Sequence, residues 1–167
     1  IAPRWRQIGP MLGKSEWRAL LWLALTGNTL YYIFVTQAVQ LGGIAMTSLI
    51  VGMVPVAVTI AGSRQAGAVS LTRLLPSILF CIGSAVAVGW DAMDALLSAK
   101  SSGPFIGLLL AVASLICWTI FALINSSWLT KLSHISAHDW SLLIGISAGV
   151  QSLLLVPFAL IFLPLDY

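Results

Sequence analysis

The chain has 167 residues, 59% of them hydrophobic and 8% charged, with a formal net charge of +3 and a mean hydropathy of +1.01. Soluble domains carry about 25% charged residues, so this composition excludes a soluble globular protein and indicates an all-α integral membrane protein. The basic residues form no cluster with interleaved aromatics, so the positive balance does not point to nucleic acid.

Residues 1–18 hold Arg4, Arg6, Lys14 and Arg18 among Pro3, Gly9 and Pro10, and read as a cytoplasmic segment leading into a transmembrane domain over 19–167. The chain starts at Ile1 with no cleavable leader before the first apolar run, which is expected of a piece of a longer protein.

From Ala19 to Ser63 there are 45 residues without an Asp, Glu, Lys or Arg. A bilayer crossing takes about 20 apolar residues, so this run divides into two spans, about 19–40 and 43–63, joined by a tight turn at Leu41-Gly42-Gly43. The second span carries Pro55 near its middle, where the ring removes one amide donor and is expected to leave the Val51 carbonyl without its partner, at a cost of about 3 kcal/mol. Ser48, Gly52, Pro55 and Thr59 recur at helical spacing, so this weak point sits on a small, polar stripe that should face protein or a wet cavity.

A third span, about 74–91, is the shortest, with 17 uncharged residues from Leu74 to Trp90. Pro104 suits a helix start and opens a fourth span at about 105–129; the fifth runs over about 140–165, fraying at Pro157 and Pro164. The links between spans are too short for a soluble domain, so five transmembrane helices make one membrane domain.

Cytoplasmic links retain Lys and Arg. With the N-terminus inside, Arg4, Arg6, Lys14, Arg18, Arg64, Arg73 and Lys131 lie on the inner side and only Lys100 lies outside. Trp22, Trp90, Trp128 and Trp140 fall near span ends, as an aromatic belt would.

Placing the span midpoints at one depth gives a layer of Asn28, Thr29, Tyr31 and Tyr32 from the first span and Gly52, Met53 and Pro55 from the second. The fourth adds Trp118 and Thr119, on a stripe with Ser114, Phe121 and Asn125, and the fifth adds Gln151 and Ser152. Transporter sites are built at that depth. Asn28, Asn125 and Gln151 have a plainer use, as interhelical hydrogen bonds worth roughly 0.6 kcal/mol each. As a group beside a broken helix the layer reads as a cavity lining.

Gly103–Gly107 and Gly145–Gly149 both have the GxxxG spacing of close helix packing, and the second lies well inside a span. Cys81 and Cys117 are isolated and mid-span, so no disulfide or metal site is indicated. His134 and His138 have the i,i+4 spacing of a zinc pair without the glutamate of HExxH. No nucleophile–base set or phosphate loop is present, so an enzyme is not expected, and no cofactor is called for.

The stretch GNTLYYIFVTQAVQLGGIAMTSLIVGMVPVAV resembles the third and fourth helices of EamA-type transporters in the drug/metabolite transporter (DMT) superfamily. The resemblance rests on the aromatic-rich helix, the Ala-rich approach to a turn, and the Thr47-Ser48-Leu49 and Val54-Pro55-Val56 steps. LLLAVASLICWTIFALIN, residues 108–125, is similar to the opening helix of that family's second repeat. The resemblance implies a ten-helix fold of two inverted five-helix repeats, of which this chain would supply helices three to seven.

It further implies an inner (plasma) membrane secondary transporter that moves a small-molecule solute by alternating access. Carried over by position, the cavity-lining residues are Asn28, Tyr31, Tyr32, Ser48, Met53 and Pro55, to which depth alone adds Trp118 and Gln151. The break at Pro55 would let its helix rock. An amino acid, a nucleobase-like compound and a drug-like cation remain open as solutes, and the expected partners are the bilayer and the remaining helices. The other reading is a non-transporting scaffold or assembly subunit whose polar layer only joins helices.

Overall fold

The computed structural model describes residues 12–63, 71–98, 101–132 and 135–162. Expectations that rest on Arg4, Arg6, Arg64, Lys100, His134 and Pro164 fall outside these residues.

Every element among the described residues is helical. Helix α1 covers Lys14–Ala24 and runs through a π-helical segment, Leu25–Leu30, into α2, Tyr31–Gly42. Helices α3, Ile44–Gly52, and α4, Val54–Gly62, follow; then α5, Leu71–Leu97, α6, Gly103–Lys131, and α7, Ala137–Phe162.

Among the described residues, four stretches are long and apolar enough to cross a bilayer: Lys14–Gly42, Ile44–Gly62, Gly103–Lys131 and Ala137–Pro157. This is one fewer than the five expected. The third expected span, 74–91, lies in α5, within which Thr72–Ala87 is a shorter apolar stretch among the described residues. At 27 residues that helix is about 40 Å long, and it continues past Asp91 and Asp94, which bound its uncharged run. These lengths and apolar faces make the chain a multi-pass membrane protein.

The chain forms two compact units, one of 1–29 with 124–167 and the other of 30–123. In the first unit, α1 packs on α7. Ala19, Leu20, Leu23 and Ala24 form the buried face of α1, and Trp140, Leu143, Ile144 and Ala148 that of α7. Lipid tails are as apolar as these side chains, so contact between the helices is held by close packing and polar pairs more than by exclusion from water. Helix α7 starts three residues ahead of the expected span because Ser136 and Asp139 cap it reciprocally. The Asp139 N–H donates to Ser136 Oγ at 3.1 Å and the Ser136 hydroxyl donates to the Asp139 carboxylate at 2.7 Å.

In the second unit α2 and α3 form the expected hairpin, tighter than read, with Gly43 alone between them at φ 84°. That left-handed conformation is open to glycine and costly for residues with a Cβ. Gly107 of α6 lies against this turn so closely that a Cβ on it would sit 2.5 Å from the Gly42 nitrogen. The Gly103–Gly107 spacing is therefore the one this chain uses in its own packing, whereas a Cβ at Gly145 or Gly149 would meet nothing within 4 Å. Helix α5 packs along α3 and α4.

The second span breaks as its proline predicts, but the break is repaired. Met53 (φ −78°, ψ −1°) separates α3 from α4, with Pro55 in the first turn of α4. Backbone N–H groups at the Met53 cap reach the carbonyls of Ile50 and Val51. The Val51 carbonyl is thus not left without a donor, contrary to the sequence expectation. Ending one helix and starting another at a single bridge-region residue tightens the last turn and supplies the bond that a straight helix would have lost.

Candidate functional site

The first crossing departs from a regular helix where its polar residues lie. Leu25–Leu30, LTGNTL, is π-helical, a wide turn that is rare and recurs at functional positions. Three side-chain bonds accompany it in the first unit. Thr26 Oγ1 donates to the Trp22 carbonyl at 2.8 Å. Thr29 Oγ1 donates to Gln151 Oε1 at 2.8 Å. Gln151 Nε2 in turn donates to the Leu21 carbonyl at 3.0 Å.

Gln151, expected as a solute contact, therefore has both ends of its amide engaged with the first crossing. Asn28, in the same wide turn, is half-buried, and its side chain bonds to no described residue. Asn125 is also engaged: its Oδ1 accepts the Trp140 indole N–H at 2.9 Å. Trp140 is fully buried and stacks on Trp128 with centroids 6.1 Å apart. It belongs to the core of its unit rather than to an interfacial belt. Trp22 and Trp90 are 59% and 74% exposed.

The second unit brings Tyr31, Tyr32 and Trp118 together. Tyr31 packs on Trp118 at 4.9 Å between centroids and meets Tyr32 edge-on at 5.2 Å. Phe121 extends the group at 5.3 Å from Trp118. Tilted and edge contacts of this kind add to the apolar contact itself. Tyr32 stays 61% exposed. The neighbouring hydroxyls fold back on their own helices, Thr36 to the Tyr32 carbonyl and Thr119 to that of Leu115.

Ser48, Met53 and Pro55 do not join this aromatic group. Ser48, Gly52 and Pro55 are exposed, and a Cβ at Gly52 would meet nothing within 4 Å, so the small, polar stripe is open. Met53 lines an apolar groove of about 410 Å³ with Leu49, Ile82, Val86 and Trp90. Pro55 lines a separate cleft of about 60 Å³ with Thr59, Ser77 and Cys81. A further groove, about 530 Å³ along Leu75, Pro76, Leu79, Phe80, Gly83 and Ser84, holds none of the expected residues. Its one hydroxyl, Ser84, donates to the Cys81 carbonyl, so this is an apolar face of α5 suited to lipid or another helix.

Both cysteines are free, and His138 is exposed. The wide turn was missed from the sequence. Its signal is the run of Thr26, Gly27, Asn28 and Thr29, four residues of modest helix propensity together at mid-span.

No known family profile matches the chain, and no solved structure matches it. It is similar to the inner membrane protein YtfF of Escherichia coli (strain K12), at 28% identity over 156 residues. The matched region is 90% of this chain and 46% of that relative, so the chain spans about half the length of the curated protein it resembles.

Proposed function

We propose that the chain supplies helices three to seven of a ten-helix EamA-type secondary transporter. The whole protein carries a small metabolite or drug-like solute across the inner membrane by alternating access, with its N-terminus in the cytoplasm. The observation that carries this reading is Asn28, an amide within a membrane crossing, on a π-helical turn, with no partner among the described residues. A polar group left against lipid costs several kcal/mol, so its place is beside a wet cavity or a solute. The open stripe through Ser48, Gly52 and Pro55 supports the same reading, as does a relative about twice the length of the match.

In this reading Asn28 offers its amide to the solute and Gln151 holds helices together, while Tyr31, Tyr32 and Trp118 form an aromatic surface within their own unit. The facing wall comes from helices outside this chain. The scaffold reading is favoured by one observation, that Gln151 and Asn125 are both engaged within the chain. Uptake by the full-length protein in proteoliposomes separates the two, with labelled leucine, adenine and tetraphenylphosphonium as probes. We expect one probe to accumulate and Asn28→Ala to lower its uptake while the protein stays inserted and monodisperse. Unchanged uptake in Asn28→Ala, or loss of uptake only in step with loss of folded protein, would return the scaffold reading.

A further inference from the structure

We infer that Gln151 is a positioning residue, whose amide spans the π-helical turn and thereby sets where Asn28 is presented. The inference rests on the transporter reading only in taking Asn28 to face a wet cavity. Gln151 reaches the first crossing at two points: Leu21, four residues ahead of the wide turn, and Thr29, inside it.

A regular helix would place Asn28 about 100° from its neighbour around the axis; a π turn holds an extra residue and displaces that register. Returning to the regular form therefore swings Asn28 to another face. The bonds at Leu21 and Thr29 clamp the wide form, because Oε1 and Nε2 are fixed on one rigid amide and can engage both points only while the turn keeps its present rise. Thr26 supports the turn from within its own helix, through the Trp22 carbonyl. Asn28 itself bonds to none of these groups, so Gln151 acts on it only through the backbone.

The test uses the full-length protein, freed of its other cysteines, with Asn28→Cys as the reporter and 2-sulfonatoethyl methanethiosulfonate as a membrane-impermeant thiol probe. The reporter should be labelled in an otherwise unaltered protein. Adding the near-isosteric Thr29→Val, which removes one interhelical hydrogen bond, should slow labelling by about threefold, and Gln151→Leu, which removes both, by about eightfold. Thr29→Ser, which keeps the hydroxyl, should restore the rate. Ser102→Cys, in a link, serves as the control for folding and should react equally in all backgrounds.

No labelling of Asn28→Cys in the unaltered background would overturn the cavity reading and this inference with it. Ready labelling that is the same with and without Gln151→Leu and Thr29→Val would leave the cavity standing and overturn the positioning role alone. Should Gln151→Leu fail to fold, Thr29→Val decides the question.

Discussion

The close approach of Gly107 to the hairpin turn gives a graded prediction. An alanine at position 107 would put its Cβ 2.5 Å from the Gly42 nitrogen, 2.7 Å from its Cα and 3.0 Å from the Leu41 carbonyl carbon. Carbon contacts settle at about 3.5–4.0 Å, so α6 must retreat from the hairpin turn by about 1 Å, and no flexible side chain is there to give way. Overpacking of this kind costs about 1–3 kcal/mol, against which the better helix propensity of alanine returns about 1 kcal/mol.

Gly107→Ala should therefore lower stability by up to about 2 kcal/mol. Gly42→Ala should cost less, because its Cβ meets mainly the mobile Met46 methyl, with the Gly107 Cα at 3.3 Å. Gly145→Ala, with nothing within 4 Å, should cost nothing. The measurement is the unfolding midpoint of the full-length protein titrated with SDS in mild detergent, followed by tryptophan fluorescence. A Gly107→Ala midpoint at or above those of the parent and Gly145→Ala would refute the close approach.

Gly43→Ala should lower the same midpoint by about 1–2 kcal/mol through its left-handed conformation alone. Trp140→Phe keeps the ring but leaves Asn125 Oδ1 without its donor, a loss of about 1–3 kcal/mol; pairing it with Asn125→Leu should recover part of that, and strict additivity would argue against the bond. Tyr31→Phe should preserve solute uptake by the full-length protein and Tyr31→Ala should lower it, because the tyrosine meets Trp118 and Tyr32 through its ring; equal loss in both would assign the role to the hydroxyl. Ser102→Cys should react with impermeant reagents from outside only, and reaction from the cytoplasm alone would invert the orientation.

Charge and hydropathy made the crossings legible, because one charged side chain at the bilayer centre costs more than any local preference returns. They fixed the hairpin, its glycine turn and the break near Pro55. The repair of that break was not legible, since a proline shows which donor is lost and not which neighbouring N–H turns to replace it. The start of α7 could have been read from Ser136 and Asp139, a reciprocal cap that the histidine spacing obscured. The aromatic group of Tyr31, Tyr32 and Trp118 was approached through depth alone, and side chains at one depth share a site only if their helices turn them toward each other. Met53 and Pro55 share that depth and turn elsewhere, while Gln151 and Asn125 show the other ambiguity, since an amide reads the same whether it waits for a solute or holds a helix.

The single glycine between Gly42 and Ile44 also bears on how the protein enters the membrane. A translocating chain normally offers a polar link between successive crossings, which the insertion machinery can retain on one side. Here the two crossings, Lys14–Gly42 and Ile44–Gly62, have no charged residue at their junction, so nothing holds the turn in the headgroups if one arm enters alone. Neither arm can be left behind without drawing the other back. Residues 14–62 should therefore commit to the bilayer together, and added charge at one flank should displace the pair or leave it in place, never invert a single arm.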